Sequence, residues 1–455
     1  MTDWLSLIDS HQYVVVADIA NYFDCIPLTS LRNTIASLGN FSENILNLLF
    51  YLLEEFSWRP YYMPHGGVGL PKMNFDAPRL LAHAYLFKID EELDKATNGD
   101  FVRWMDDVDA GVNSLIEGKR LLRDLDNVLG SQGLRLNTSK SKILSGKEAI
   151  AHFWVQENRA LTIIENSIKH GSGSTATQKK QINILKKRFT KYHRKPKKGH
   201  CDQVLKRYFT LFGRIGDPYL EKHIHPLLEE HPNLRGSAFN YLARLGPTRK
   251  RLSMIEEFVV SGHCEDEVSL FEAVRCIIAW ETPATDKLVS QIVTFAQKVV
   301  NKNNSYLPSG VIAAVWLLAK YGSRSELTNL INSSKDMWKK SPWTARQIAG
   351  ITPLLDIDCS DICETITQNG LGQALQIIEH IASVKRLHNL GNQLNSYLKH
   401  QPSSGFPYPL PKVIIAVALL KGQLDRQQKI NLHNELLTII TDRRYIKMIK
   451  EYSPV

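Results

Sequence analysis

A carboxylate at the end of an apolar strand constrains this chain more than any other feature. The run Tyr13-Val-Val-Val-Ala-Asp18-Ile has a β-branched centre and reads as a buried strand. An unpaired buried charge is costly, so Asp18 calls for a partner or a metal. A second acidic site follows in Phe101-Val-Arg-Trp-Met-Asp106-Asp107-Val-Asp-Ala-Gly-Val. Two adjacent aspartates interrupt a strand–turn–strand pattern there and fall at a hairpin tip. Strand side chains alternate, so of two neighbours one faces a shared site and the other supports it. Asp-Asp at a turn is by itself ordinary turn chemistry. Joined to a strand-end Asp, it becomes an arrangement that holds two Mg²⁺ for phosphoryl transfer: one metal activates an attacking 3′-hydroxyl and the other stabilises a leaving pyrophosphate. Mg²⁺ takes a few carboxylates plus water and substrate phosphates, which suits an open trio.

Charge divides the chain. The 455 residues carry a net +10, yet between Glu165 and Asp202 there are eleven Lys or Arg and no acid. The rest of the chain stands at −1. The block includes Lys179, Lys180, Lys186, Lys187, Arg188, Lys191, Arg194, Lys195, Lys197 and Lys198, interleaved with Phe189 and Tyr192. A local basic block points to a polyanion, because each neutralised phosphate releases counterions. A solvated connector is the alternative. Gly171-Ser-Gly-Ser-Thr and the Pro within Arg194–Gly199 are loop signals that place a boundary here. We therefore expect three segments: 1–165, a basic connector over 166–201, and 202–455.

The third segment reads as helix almost throughout, in amphipathic stretches separated by Gly, Pro or Asn. Ala238-x3-Leu242-Ala243-x2-Gly246 recurs as Ala314-x3-Leu318-Ala319-x2-Gly322, with Ile-Ala pairs at Ile278-Ala279, Ile348-Ala349 and Ile381-Ala382. A small residue beside a large aliphatic at such a period suits stacked helix pairs, and these resemble HEAT-like α-repeats. Hydrophobic residues make up 43% of the chain, enough to bury a core. The longest apolar stretches, such as Val413–Leu420, are too short for a membrane span, and the first residues lack the basic region of a signal peptide. Six cysteines in this length form no disulfide scaffold. A cytoplasmic protein without a membrane partner is expected.

Four blocks fall in order: Asp18-Ile-Ala-Asn-Tyr-Phe23-Asp24; Gly69-Leu-Pro71 through Asp76-Ala77-Pro78-Arg79 to Leu86; Phe101–Asp107; and Gly133-Leu-Arg-Leu-Asn137-Thr-Ser-Lys140. They resemble palm motifs A to D of a reverse transcriptase. Asp-Ala-Pro-Arg79 is similar to the Asp-Ala-Ser-Arg signature of bacterial abortive-infection and other defence-associated reverse transcriptases, several of which join the polymerase to a HEAT-like domain. The resemblance implies an α+β reverse-transcriptase palm followed by an all-α HEAT-like helical repeat domain. The family places fingers strands upstream of motif A. Only seventeen residues precede Asp18, so the fingers are expected to be largely missing from this chain. A longer reading frame or another chain then supplies their grip on the triphosphate, or the palm is not competent as it stands.

The resemblance also implies roles. Asp18, Asp106 and Asp107 hold Mg²⁺, or Mn²⁺. Ile19, Phe23, Pro71, Asp76 and Arg79 line the nucleotide site, Phe23 as an aromatic gate against a ribose 2′-hydroxyl. Lys140 stands at the motif D lysine, an acid toward the pyrophosphate. A core role for Phe23, a surface role for Lys140 and an Asp76–Arg79 pairing within the palm remain alternatives. Motif C carries Trp104-Met105 where Tyr-Ala is usual, and motif B carries Lys72, Met73 and Pro78 in place of commoner residues. The implied activity is RNA-directed or template-relaxed DNA synthesis in anti-phage defence. Its partners would be deoxynucleotides, an RNA template or a dedicated non-coding RNA, a DNA product and further copies of the chain. The alternative is an impaired palm that serves as a nucleic-acid-binding scaffold, with the repeats recruiting partners. Arg188-x4-His193, Cys359-x3-Cys363 and His223-Ile-His225 match loose ribonuclease or metal patterns, each more simply read as chance, core or surface.

Overall fold

The computed structural model describes residues 3–57, 66–71, 76–170, 175–281, 286–301, 307–355, 360–401 and 407–452. Lys72, Met73, Gly171–Ser174 and Cys359 lie outside them. The chain is mostly helical, with one four-stranded antiparallel sheet, and divides into two compact units: 1–163 with 194–201, and 164–193 with 202–455. The basic tract is shared between the two. Among the described residues no helix is long and apolar enough to cross a membrane.

In the first unit the strands are β1 (Tyr13–Asp18), β2 (Phe101–Trp104), β3 (Asp107–Val112) and β4 (Lys142–Ser145), in the order β2-β3-β1-β4. Helices α1 (Asp3–Ser10), α2 (Tyr22–Cys25), α3 (Leu28–Leu38), α4 (Glu43–Phe56), α5 (Asp76–Tyr85), α6 (Phe87–Thr97), α7 (Leu115–Ser131) and α8 (Gly146–His152) surround them. Alternation along the strands separates two faces. Val15, Ala17, Val108 and Ala110 join a core with Leu31 of α3, Ile89 and Leu93 of α6, and Leu121, Leu125 and Leu129 of α7. The i, i+4, i+8 leucines give α7 its apolar stripe, and Ser114 caps its start by accepting from the Glu117 amide. On the other face Val14 packs with Ile8 of α1 and Ala149 of α8, and α8 begins in a Ser145–Glu148 capping box. Where β1 ends, that second face carries acids.

The second unit stacks helices Arg235–Leu245, Glu267–Ala279, Leu307–Tyr321, Pro342–Ile351, Gly372–Lys385 and Leu410–Lys421 one on the next. The two glycines of the sequence repeat do different work. Gly246 ends its helix in the left-handed region (φ 80°), whereas a Cβ on Gly322 would stand 2.9 Å from the Leu318 carbonyl oxygen.

The last carbonyls of a helix lack intrahelical donors, and here cations from neighbouring segments supply them. Lys320 donates to the Ile278 and Trp280 carbonyls at 2.7 and 2.9 Å, and Lys421 to those of Pro353 and Leu355 at the same distances. Lys412 reaches Tyr397 and His400, and Arg251 reaches Leu245 and Gly246. Lys320 is 1% exposed and also pairs with Asp442 at 2.7 Å, itself 1% exposed. Removing one partner leaves a buried charge. Lys320→Ala should therefore cost about 3–5 kcal/mol, with the double variant Lys320→Ala/Asp442→Ala less damaged than the single one, read as thermal and urea midpoints.

Candidate active site

The register of β1 on β3 sets the site. Asp18 lies directly opposite Asp107, and Trp104 of β2 lies opposite Asp107 on its other side, so the three share one face in a row. Asp106 precedes β3 in a tight turn whose Met105 adopts a left-handed backbone (φ 57°). The Ile19 amide donates to the Asp106 carbonyl at 3.1 Å, tying the end of β1 to that turn.

Residues 135–140 close the third side. The Ala20 amide donates to the Arg135 carbonyl and the Asn137 amide to that of Asp18, at 2.9 and 2.7 Å. The Asn137 side chain donates to Asp18 Oδ2 at 2.9 Å, and Lys140 Nζ stands 2.8 Å from Asp18 Oδ1. The Asp18 side chain is 9% exposed and that of Lys140 64%, so the cation approaches a buried carboxylate from the solvent side.

Burial first, and crowded like charge second, raise the carboxyls of this site. Desolvation raises the Asp106 carboxyl above its usual range, and the Asp18 charge adds to this. Desolvation raises Asp107 as well, followed by the charges of Asp106 and Asp18. Asp109, on the same sheet face and 5% exposed, is pushed up to about 7 by burial and then by Asp107. The hydrogen bond to Asp18 raises Lys140. Among the described residues no group of three His, Cys, Asp or Glu side chains is placed so that it could hold a metal ion. The donor set still suits a hard divalent cation: three crowded carboxylates, with an ammonium on one of them as counter-charge. Asp18, Asp106 and Asp107 are the residues that would hold it.

The other expected nucleotide-site residues are placed unevenly. Phe23, partly buried in α2, sets its edge against Tyr22, and its carbonyl accepts from the Leu70 amide at 2.8 Å, which brings the Gly69–Pro71 segment beside it. Gly69 (φ 94°) allows that approach, since a Cβ there would stand 3.3 Å from the Asp24 carbonyl oxygen. Pro71 is buried. The Ile19 side chain, 1% exposed, belongs to the core. Asp76 and Arg79 face solvent and pair with each other at 3.6 Å.

Of the basic block, Lys179, Lys180, Lys187, Lys191, Arg194, Lys195, Lys197 and Lys198 are exposed. Lys180, Lys187, Lys191 and Arg194 fall on one stripe of helix α10 (Thr175–Arg194), numbered after α9 (Val155–His170). Lys186 pairs with Asp217 at 2.7 Å, and the Lys195 and Lys197 ammonium groups lie 5.8 and 5.9 Å from the Trp154 ring centre. Arg188 is intermediate in exposure. Phe189 and Tyr192 are 2% and 1% exposed, so the aromatics between the lysines are core and offer no stacking surface. His223 packs against His193, while His225 lies 3.4 Å from both Glu229 and Glu257.

Three supports went unread in the sequence. Arg103, its side chain 2% exposed on the core face, pairs with both Asp90 oxygens of α6 and donates to the Met105 carbonyl at 3.1 Å. It fixes the turn that carries Asp106. Asn137 orients Asp18, and Trp104, 77% exposed, stands beside the acids. A charged residue inside an apolar strand run was the signal for Arg103. No family model matches the sequence, and no curated protein does.

Two outcomes follow. Arg103→Ala should cost about 3 kcal/mol, and Arg103→Lys should recover little because a lysine cannot make the two-pronged bond. A raised carboxyl binds its proton more tightly folded than unfolded, so Asp109 takes stability away as pH rises from about 4 through about 7. In EDTA, Asp109→Asn should flatten urea-unfolding free energy across that window and exceed the wild type at pH 8.

Proposed function

We propose that the first unit is a reverse-transcriptase-like palm that adds deoxynucleotides by two-metal phosphoryl transfer, on an RNA template or with relaxed templating, and that the chain serves bacterial anti-phage defence. The observation that carries this reading is the cross-strand pairing of Asp18 with Asp107, with Asp106 at the adjoining turn. The order of the four sequence blocks supports the substrate class, and the resemblance of Asp76–Arg79 supports the defence role.

Asp18, Asp106 and Asp107 would hold Mg²⁺ or Mn²⁺, which when bound activates the 3′-hydroxyl and offsets charge on the leaving pyrophosphate. Asn137 keeps Asp18 oriented. Lys140 is mostly exposed, so its ion pair is weak enough to yield to a stronger cation. Its ammonium, protonated at neutral pH like any lysine, would then be ready to give Nζ–H to a pyrophosphate oxygen. Phe23, braced by Tyr22, stands as the gate toward a sugar 2′ position. The exposed lysines of α10 supply sequence-independent grip on a nucleic-acid backbone.

A second reading draws on one observation: both Asp18 oxygens are already engaged, by Lys140 and Asn137. Under it the unit is a nucleic-acid-binding scaffold without catalysis. Labelled-nucleotide incorporation separates the two, with co-purifying nucleic acid retained, each dNTP alone and all four together, in Mg²⁺ and in Mn²⁺. We expect incorporation that falls to background in Asp106→Ala/Asp107→Ala. Bound RNA without incorporation by the wild type would sink the polymerase and favour the scaffold.

A further inference from the structure

We propose that the recess between the helices Leu307–Tyr321, Arg324–Ser333 and Arg443–Lys450 binds a nucleotide, whose phosphates lie on Arg444 and Lys447. The inference does not rest on the catalytic reading, and the recess belongs to the second unit. A cavity of about 510 Å³ opens there, within the size range of small-molecule sites. Another of about 430 Å³ adjoins it. The two share Gly322, Ser323, Arg444 and Lys447, so both cations stand between them.

Charge around the recess is unbalanced. The acids are already matched: Asp442 pairs with Lys320 at 2.7 Å, Glu451 with Arg324 at 2.6 Å, and Glu326 closes the capping box with Ser323. Arg444 and Lys447 are left over. Arg444 is half-buried and Lys447, one turn on, is exposed. Among the described residues neither side chain has a hydrogen bond or an ion pair. The helix that carries them holds four cations in eight residues and no acid. Two of these, Arg443 and Arg444, sit in its first turn, where the helix dipole disfavours positive charge. Like charges three residues apart repel as well. An anion held between Arg444 and Lys447 relieves both costs, and a guanidinium beside an ammonium suits the oxygens of a phosphate.

The walls select the rest of the ligand. Beside the cations, the larger cavity is lined by Leu318, Leu327, Leu354 and Met448, which suit a flat, weakly polar base. The smaller presents Ser290, Thr294 and Gln297, whose hydroxyl and amide groups can donate to further phosphate oxygens. A nucleoside di- or triphosphate spans the two in that order. A sugar phosphate has no apolar body for the first cavity. A nucleic-acid backbone is met by a row of exposed cations, as on α10, rather than by two cations set between recesses.

Isothermal titration of the full chain with ATP in EDTA tests this and reads nothing of metal-dependent catalysis. We expect one site with a Kd of about 1–100 µM. Arg444→Gln/Lys447→Gln should raise that Kd at least about tenfold, with the thermal midpoint unchanged or raised because like charges have been removed. Met448→Trp, which fills the apolar cavity, should weaken ATP and leave the weaker binding of inorganic tripolyphosphate as it was. No saturable binding by the wild type up to about 1 mM, or binding indifferent to Arg444→Gln/Lys447→Gln, overturns the proposal. So does an ATP affinity that is lost in Lys187→Glu/Lys191→Glu instead, which marks polyanion contact on α10. Tripolyphosphate bound as tightly as ATP overturns the assignment of a nucleotide.

Discussion

Two carboxylates set face to face across a strand pair repel, and the first unit is organised around holding them there. The antiparallel register of β1 and β3 admits no alternative. A one-residue slip of β1 would turn Asp18 to the core face and Val15 and Ala17 to the opposite one, so apolar burial fixes Asp18 opposite Asp107. What repulsion remains is met locally. Lys140 and Asn137 take the two oxygens of Asp18, and Arg103 anchors the turn below Asp106 to α6. Asp109 is held near neutrality by its own burial. Hydrophobic packing thus forces an electrostatic cost, and a ring of hydrogen bonds contains it.

The second unit meets a related problem by another route. Closely stacked helices bring their carbonyl-bearing ends into low-dielectric surroundings, where an orphan acceptor is expensive. Lys320, Lys412 and Lys421 each run an aliphatic stem through the packing and deliver an ammonium to those ends. Some basic residues of this unit are thus consumed inside the stack, while others, Lys187 and Lys191 of α10 among them, stay on the surface.

Patterns with a fixed period were legible from the sequence. The strand ending at Asp18, the hairpin from Phe101 to Val112 and the helical second half follow from alternation, turn residues and 3.6-residue spacing. Partnerships that the period does not encode were not. Arg103 finds Asp90 thirteen residues upstream, on a helix whose polar face gives no hint of a mate. Asn137 reaches back 119 residues to Asp18. Phe189 and Tyr192 looked like part of a binding surface because basic residues surround them. Yet Leu185, Phe189 and Tyr192 recur at i, i+4 and i+7, and that shared stripe, all of it buried, outweighs composition.

The last described helix folds back onto the middle of the stack. In a simple solenoid each repeat touches its neighbours and little else, so such arrays can grow and fray one unit at a time. Here the helix Arg443–Lys450 returns to the helix Leu307–Tyr321. Around it Asp442 meets Lys320, Arg324 meets Glu451 across 127 residues, and Thr441 meets Glu281 across 160. During synthesis the charge of Lys320 waits for a counter-ion that lies 122 residues further along the chain (442 − 320). Completion of the stack becomes a long-range event rather than a progressive one, and a chain broken off before residue 442 keeps the carbonyl partners of Lys320 but not its counter-ion.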